Sequence, residues 1–272
     1  MKSPGPGASS AEPTADSNRI IQGLWIGPEL SLLEQLSIAS FLRNGHEYHL
    51  YVYDEPRSIP AGTIIKDANQ ILPSSRVFQY REYASYAGFA NFFRYKLLLE
   101  RGGWWADSDT ICLKPFDFFD EYVFSTELRN GREVVNCGVI KTPQGSPAMA
   151  YAWEVCQTKD PQKLVWGETG PRLIGEAVSK CSLQKHINPY TFFCPVSYSN
   201  WGQVLEPQTQ DLLDEDSYAI HLWNEMWRKV NLDKNARYPY SCLFEELKRK
   251  YLGPAINPTR LNPLDRPQSH QA

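Results

Sequence analysis

Residues 88–117 read GFANFFRYKLLLERGGWWADSDTICLKPFD, and the rest of the chain is organised around them. The stretch contains an apolar helical segment, a two-glycine turn, a short aromatic strand and the triplet Asp107-Ser108-Asp109. Because side chains two apart on a strand point to the same side, Asp107 and Asp109 are expected to project together. Neighbouring carboxylates repel each other unless a cation or a proton lies between them. The pattern therefore predicts Mg²⁺ or Mn²⁺, held by oxygen ligands and shared with a phosphate-bearing substrate.

The helical segment presents two stripes. Phe89, Phe93 and Leu97 are four residues apart and are expected to face the core. Asn91 and Arg94 lie one turn apart on another side, where we expect both to reach the phosphate-bearing substrate. A guanidinium suits phosphate because its planar fork donates two hydrogen bonds at once. The alternative is that Arg94 pairs with an aspartate of the triplet, and the two roles are compatible.

Composition limits the class of protein. The 272 residues are 42% hydrophobic and carry a formal net charge of −3. The length fits one large α/β domain. A nucleic-acid partner is not expected, because the chain has no run of Lys and Arg interleaved with aromatics. Residues 1–18 and 254–272 are rich in proline and small or polar residues. We therefore expect disordered tails around a domain spanning 19–253.

Membrane and redox features are read from the same sequence. It contains no apolar segment of 18 residues and no apolar signal-peptide core near its start. The expected location is the cytoplasm, without a transmembrane segment, and peripheral attachment to a membrane stays open. The six cysteines lack C-x-x-C spacing. They are expected to be reduced and mostly buried.

The first half of the chain predicts a strand over 19–27, a helix over 29–44 and a strand over 48–53. This order is typical of a nucleotide-binding α/β domain, with a mixed, mostly parallel, Rossmann-like sheet flanked by helices. Ligands of such sheets bind beyond the carboxyl ends of the strands. Trp25 and Ile26 are therefore expected at the ligand site.

Further elements follow from local signals. A short strand is predicted at 77–78, and Asn130-Gly131 predicts a hairpin turn between two later strands. Ser146 precedes a proline and predicts a helix start, as does Ser241 near the end of the chain.

Two late segments carry chemistry. Gly167–Pro171 (GETGP) opens a helix whose N–H groups could face an anion or a sugar oxygen, although an ordinary helix start is the alternative. Residues 218–227 (YAIHLWNEMW) predict a strand that delivers His221. A single histidine on a strand is more often a core residue than a ligand.

The order of these motifs resembles the DXD sugar-binding region of retaining GT-A glycosyltransferases. The similarity lies in W-I-G, A-N-F-F-R-Y, L-x-x-x-G-G, W-W-A-D-S-D, L-K-P-F and H-L-W, and it covers about residues 19–229. The group contains α-1,4-galactosyltransferases, yeast-type initiating mannosyltransferases and capsule-type transferases, and the large clostridial glucosylating toxins share its core. Two positions depart from its pattern, since Asn91 replaces an aspartate and Trp105 replaces a tyrosine.

The resemblance implies a GT-A fold and a metal-dependent hexosyltransferase. The donor would be a UDP- or GDP-sugar, and the acceptor a glycan, a lipid-linked sugar or another hydroxyl. The anomeric configuration is retained, and the leaving phosphate helps to deprotonate the acceptor, so no protein nucleophile is needed. Asp107 and Asp109 hold the ion, and His221 completes its shell, which favours Mn²⁺ over Mg²⁺.

The resemblance also assigns roles to single residues. Trp25 stacks on the base, with a core tryptophan as the alternative, and Asn136 lies near the anomeric carbon or acceptor, unless it only bonds backbone. Glu168 and Thr169 belong to the acceptor side. The expected catalytic residues are Asp107, Asp109, Asn136 and Arg94. The expected donor-binding residues are Trp25, Ile26, Asn91, Arg94, Asp107, Ser108 and Trp223. Apart from the resemblance, three aromatics are expected at the surface, where they could stack on sugar rings of the acceptor: Trp201, Trp223 and Trp227.

Three alternatives compete with this interpretation. A glycoside hydrolase could use Asp107 and Asp109 as acid and nucleophile, but such carboxylates flank the sugar bond at roughly 5 Å or more and lie on opposite sides of it. A non-catalytic nucleotide-sugar-binding module is conceivable because of Asn91. An effector that glycosylates a protein would differ only in its acceptor.

Overall fold

The computed structural model describes residues 18–208 and 212–253. The predicted tails, 1–18 and 254–272, lie outside these residues, apart from Asn18.

Eight strands and seven α-helices lie in the described part of the chain. The strands are β1 Ile20–Trp25, β2 Glu47–Val52, β3 Ile64–Asp67, β4 Gly103–Ala106, β5 Thr110–Cys112, β6 Val123–Arg129, β7 Arg132–Thr142 and β8 Ala219–His221. The helices are α1 Leu32–Arg43, α2 Ala87–Arg101, α3 Pro147–Gln157, α4 Pro171–Lys180, α5 Tyr190–Phe193, α6 Asn224–Lys229 and α7 Leu243–Leu252.

Six strands form the main sheet, in the order β3-β2-β1-β4-β7-β6. The pairs β3–β2, β2–β1 and β1–β4 are parallel, and β7 runs antiparallel to both of its neighbours. Strands β5 and β8 form a separate antiparallel pair. A mixed, mostly parallel sheet flanked by helices is the predicted fold class.

Helix boundaries follow from capping chemistry. Helix α1 starts three residues later than predicted because Ser31 and Glu34 form a capping box. Helix α2 ends at Gly102, which has φ +65°; a Cβ there would lie 2.4 Å from the backbone nitrogen of Gln144. Glycine is thus required where α2 turns into β4.

The predicted hairpin forms between β6 and β7. Asn130 and Gly131 have φ values of 51° and 74°, the left-handed pair that a two-residue turn of type I′ needs. The hairpin carries Glu127 and Asn136 towards the carboxyl end of β4.

One predicted strand and one predicted helix cap are wrong. Residues 77–78 form no strand; instead the ring of Phe78 packs edge-on against Phe89 and Phe92 of α2. The last helix begins after Cys242, not Ser241, and no side chain caps it. At Phe78, packing against α2 fixes the chain where the local strand signal is weak.

Adjacent tryptophans on β4 fill the two faces of the sheet. Trp105 packs in a cluster with Phe93 of α2, and Trp104 packs in another cluster with Phe41 of α1. A third cluster contains Trp227, which is fully buried. The prediction that Trp227 offers a surface for sugar rings is therefore wrong.

All six cysteines are unpaired, and five are buried, as expected. Among the helices of residues 18–208 and 212–253, none has the length and apolarity needed to cross a membrane.

Candidate active site

A cavity of about 890 Å³ lies at the carboxyl ends of β1 and β4, the edge predicted for ligand binding. Most of the residues predicted for the site line it. They are Trp25, Ile26, Asn91, Arg94, Asp107, Ser108, Asp109, Asn136, His221 and Trp223. Glu168 and Thr169 do not line this cavity.

The aspartate triplet forms a turn and not an extension of the strand. β4 ends at Ala106, and the Thr110 N–H donates to the Asp107 carbonyl at 2.9 Å. The two carboxylates do lie close together, but the predicted cause, alternation along a strand, is wrong. The turn itself brings Asp107 and Asp109 to one place.

His221 joins the two carboxylates because β8 pairs with β5 in a register that sets His221 opposite Thr110. Its Nε2 lies 2.9 Å from Asp109 Oδ1 and 3.9 Å from Asp107 Oδ2. One ligand atom from each of the three side chains lies within 4.8 Å of the other two. The predicted ligand set is thus assembled from two separate parts of the chain.

The geometry of His221 fits a metal ligand. Both ring nitrogens are buried and lack a hydrogen-bond partner, since the 2.9 Å contact to Asp109 has the distance of an ion pair without hydrogen-bond angles. Buried polar atoms without partners are rare. A divalent ion would satisfy Nε2 together with both carboxylates, and two carboxylates with one imidazole suit Mn²⁺ or Mg²⁺.

The three groups shift one another's protonation. Burial raises the pKa of Asp107, and the nearby Asp109 adds to this against the opposing charge of Arg94. Burial also acts to raise the pKa of Asp109, but the facing His221 outweighs it and the pKa is lowered. Burial acts to lower the pKa of His221, yet Asp109 and Asp107 raise it. A metal ion would compete with this proton, because a ligating imidazole must be neutral.

Arg94 supports Asp107 from behind. Its Nη2 donates to Asp107 Oδ1 at 2.8 Å, its Nη1 donates to the Cys137 carbonyl, and its guanidinium lies 4.9 Å from the Trp105 ring centroid. The Trp105 indole N–H donates to the same Asp107 oxygen at 2.9 Å. The ion pair considered as an alternative for Arg94 is present. Asp107 Oδ1 is thus held by two donors, and Oδ2 faces His221.

The two carboxylate oxygens of Asp109 also have different partners. Its Oδ2 accepts the Asn224 N–H at 2.7 Å, and its Oδ1 faces His221. The N–H of Asn224 is aimed there by Trp223, whose left-handed backbone (φ 53°, ψ 57°) is unfavourable for a bulky residue. The Trp223 ring lies edge-on to His221 at 4.3 Å and donates to the Val196 carbonyl at 2.8 Å.

Asn91 connects α2 to the segment before α4. Its Nδ2 donates to Thr169 Oγ1 at 3.4 Å, and the Cys137 thiol donates to its Oδ1 at 3.5 Å. Thr169 is fully buried, and its carbonyl accepts the Tyr95 hydroxyl at 2.9 Å. Thr169 therefore anchors the loop behind the cavity wall.

Glu168 points away from the cavity. Its carboxylate pairs with Lys159 at 2.6 Å and accepts the Val165 N–H at 3.2 Å, and the bond from Lys159 lowers its pKa. The neighbouring Gly167 and Gly170 line the cavity instead.

Asn136 lies on the cavity wall with its polar atoms engaged. Its Oδ1 accepts the Gly138 N–H at 3.0 Å and the Ser125 hydroxyl, and its Nδ2 contacts Cys194 Sγ at 3.1 Å. One backbone N–H and two side chains, those of Ser125 and Cys194, therefore hold Asn136 in place.

Trp25 lies half-buried at the end of β1. Lys234 Nζ lies 5.7 Å from its ring centroid, and the buried indole nitrogen has no hydrogen-bond partner. An aromatic face and an unpaired donor thus meet at one end of the cavity.

The sequence interpretation missed Glu127, a buried carboxylate of β6 that lines the cavity and pairs with Arg129 at 2.5 Å. The sequence VFSTELR carries no signal for it, because residues 123–127 are buried on both faces of the strand and show no alternation of apolar and polar positions.

Comparisons with known proteins agree with this site. The family described as "Glycosyltransferase sugar-binding region containing DXD motif" matches residues 33–126. The family described as "Alpha 1,4-glycosyltransferase conserved region" matches residues 159–247, which include His221. No curated protein sequence matches the chain.

Solved structures with a similar shape include three glycosyltransferases. The PaToxG glycosyltransferase is 19% identical with a TM-score of 0.43, over 62% of this chain and 74% of that chain. The bifunctional glycosyltransferase WbbM is 12% identical with a TM-score of 0.44, over 89% and 53%. GlyE from Streptococcus pneumoniae TIGR4 is 12% identical with a TM-score of 0.40, over 86% and 63%.

With TM-scores below 0.5, the fold assignment depends on the sheet topology of this chain. Its mostly parallel six-stranded sheet carries an Asp-x-Asp turn inside a matched glycosyltransferase region. The chain is a glycosyltransferase of GT-A-like type.

Proposed function

We propose that the protein transfers a hexose from a UDP- or GDP-sugar to a hydroxyl acceptor, in a reaction that requires Mn²⁺ or Mg²⁺ and retains the anomeric configuration. The observation that carries this proposal is the convergence of Asp107, Asp109 and His221 within 4.8 Å on one wall of the cavity. A bound ion would neutralise the diphosphate as it leaves, acting as a Lewis acid.

The proposed ligand atoms are Asp107 Oδ2, Asp109 Oδ1 and His221 Nε2. Each aspartate gives its other oxygen to the protein, since Asp107 Oδ1 accepts from Arg94 and Asp109 Oδ2 accepts from the Asn224 N–H. The carboxylates are therefore oriented before any ligand arrives, and such preorganisation stabilises developing charge. Arg94 acts in this scheme as a positioning residue.

The remaining cavity residues are proposed to hold the donor. The Trp25 ring offers a stacking surface for the base, with Ile26 beside it. Ser108 and Trp223 flank the ligand atoms, towards the diphosphate. Asn91 is proposed to hydrogen-bond a sugar hydroxyl. Its two present hydrogen bonds, at 3.4 and 3.5 Å, are long, so a ligand hydroxyl can replace them.

Asn136 is proposed to shape the wall near the anomeric carbon. The acceptor side is formed by backbone at Gly167 and Gly170, whereas Glu168 and Thr169 stabilise that loop. A glycan is the proposed acceptor class.

Hydrolysis by an acid and a nucleophile fits this geometry less well. The ligand oxygens of Asp107 and Asp109 approach one imidazole from the same wall, whereas a hydrolase needs its carboxylates on opposite sides of the sugar bond.

The test is thermal unfolding with a panel of UDP- and GDP-sugars, in Mn²⁺ and then in EDTA, together with release of nucleoside diphosphate. Ligands that bind only the folded state raise the midpoint. We expect one nucleotide class to raise it only with the metal, and to be turned over. No shift with any donor at saturating metal would contradict the proposal.

A further inference from the structure

Two partly exposed aromatic side chains and an exposed valine lie in loops beside the cavity. Tyr83 and Trp166 are each 37% exposed, and Val165, adjacent to Trp166, is 64% exposed. They belong to two loops, one before α2 and one before α4. Exposed apolar side chains that are grouped in one place often mark an interaction site, whereas single exposed apolar residues are ordinary.

The rings form one packed unit, here called the aromatic rim and consisting of Tyr80, Tyr83 and Trp166. The Trp166 ring centroid lies 5.0 Å from that of Tyr80 and 5.2 Å from that of Tyr83. Tyr80 is buried, and its N–H donates to the Ser85 carbonyl at 2.8 Å. Tyr80 therefore fixes Trp166 from behind, while Trp166 keeps part of its surface open.

The aromatic rim and the metal ligands share one cavity. Trp166 and Tyr80 line it together with Asp107, Asp109 and His221. Helix α2 joins the two regions directly, because Arg94 binds Asp107 and Asn91, three residues earlier, binds Thr169 of the loop that carries Trp166.

Polar groups surround the aromatic rim. The Ser85 hydroxyl donates to Glu225 at 2.6 Å, Arg228 pairs with Glu225 at 2.7 Å, and Lys229 Nζ lies 5.5 Å from the Trp166 ring centroid. A lipid chain would require a continuous apolar groove. An aromatic face bordered by hydroxyl, carboxylate and ammonium groups instead suits a ligand with an apolar face and polar edges.

We propose that the aromatic rim is the acceptor subsite and that the acceptor is a saccharide. A sugar ring has this dual character, since its C–H face can lie on the electron-rich face of an indole while its hydroxyls point outward. The inference rests on the proposed function for the position of the donor. The acceptor hydroxyl oxygen then bonds to the anomeric carbon as the bond from that carbon to the diphosphate breaks. Its proton passes to the leaving phosphate.

The test is saturation-transfer NMR with lactose, maltose, cellobiose and methyl mannoside, on protein containing Mg²⁺ and either UDP or GDP. We expect the C–H protons of at least one saccharide to receive saturation. Trp166→Ala should weaken that binding by at least about fivefold, and Trp166→Phe should restore part of it. Tyr240→Ala is the control, since Tyr240 is 77% exposed and stacks on Arg249.

The nucleotide-induced rise of the unfolding midpoint is measured on the same variants. We expect Trp166→Ala to leave it unchanged, which also shows that the variant folds. A fall in nucleotide binding with unchanged saccharide binding would overturn the proposal in favour of a base-binding role. Absence of saturation transfer to all four saccharides, on protein that binds the nucleotide, would overturn the proposal. Absence of nucleotide binding in every variant would contradict the proposed function alone, because saccharide binding is measured without turnover.

Discussion

The two walls of the cavity are built in different ways. On the metal wall, Arg94 and Trp105 both donate to Asp107 Oδ1, and the Asn224 N–H donates to Asp109 Oδ2, so both carboxylates are fixed. On the aromatic rim, Tyr83 and Trp166 lie partly exposed on loops. A site that must hold a highly charged leaving group needs fixed dipoles, whereas a site for a sugar ring needs an accessible face.

This difference predicts that substitutions at the metal wall change metal use and turnover, and that substitutions at the rim change acceptor binding with little effect on the donor.

The largest effect is expected from Asp109→Asn. The amide keeps the size of the side chain and can still accept the Asn224 N–H, but it removes a ligand charge. Metal-dependent turnover should fall by at least about 100-fold. Asp117→Asn, at an exposed aspartate eight residues on, is the control. Turnover equal to that of the control would remove the metal assignment.

A smaller effect is expected from Arg94→Lys, which keeps the charge but loses the fork that binds Asp107 and the Cys137 carbonyl together. The Mn²⁺ concentration for half-maximal activity should rise by about tenfold, as for other residues behind metal ligands. Arg101→Lys, at the exposed end of the same helix, should not move it. An unchanged metal requirement in Arg94→Lys would show that Asp107 is oriented without this support.

Gly138→Ala should act more weakly. A Cβ there would lie 3.5 Å from Asp107 Oδ2 and 3.7 Å from His221 Nε2, so the backbone accepts it while the methyl group crowds the ion and its ligands. We expect metal affinity to fall by about threefold with unchanged stability. Gly175→Ala, where the nearest atom is 4.0 Å away, is the matched control. A drop in unfolding midpoint for Gly138→Ala alone would mean that the wall cannot accept the methyl group.

The smallest effect is expected on stability at the aromatic rim. Tyr83→Ala should lower the free energy of unfolding by less than about 1 kcal/mol, because the ring is partly exposed. Tyr95→Phe removes a buried hydroxyl that donates to the Thr169 carbonyl at 2.9 Å, and it should cost about 1–2 kcal/mol. Urea unfolding compares the two variants. A larger loss of unfolding free energy for Tyr83→Ala than for Tyr95→Phe would show that the aromatic rim belongs to the hydrophobic core.

The sequence predicts the metal wall better than the rim, for physical reasons. Strand ends, glycine turns and the Asp-x-Asp spacing are local patterns, and they led to β1, α2, β4 and the ligand candidates. The conformation of the triplet was not predictable, because a turn and a strand end both bring two aspartates to one side. Only the pairing of β8 with β5 decides that His221 joins them.

The rim leaves no periodic signal. Trp166 is in a loop, where exposure depends on which distant side chains pack against it. Trp227 is predicted as a surface aromatic for sugar rings, yet it is fully buried in the third core cluster. The resemblance places Glu168 on the acceptor side, but its carboxylate pairs with Lys159 and does not line the cavity.

The most direct measurement is a crystal structure of the protein with Mn²⁺ and UDP or GDP, with anomalous data collected to locate manganese. The metal assignment predicts one anomalous peak, from a manganese ion within bonding distance of Asp107 Oδ2, Asp109 Oδ1 and His221 Nε2. The diphosphate should bind the ion on the side away from these three residues. A bound nucleotide with no peak at these three atoms, or a peak elsewhere in the cavity, would contradict it.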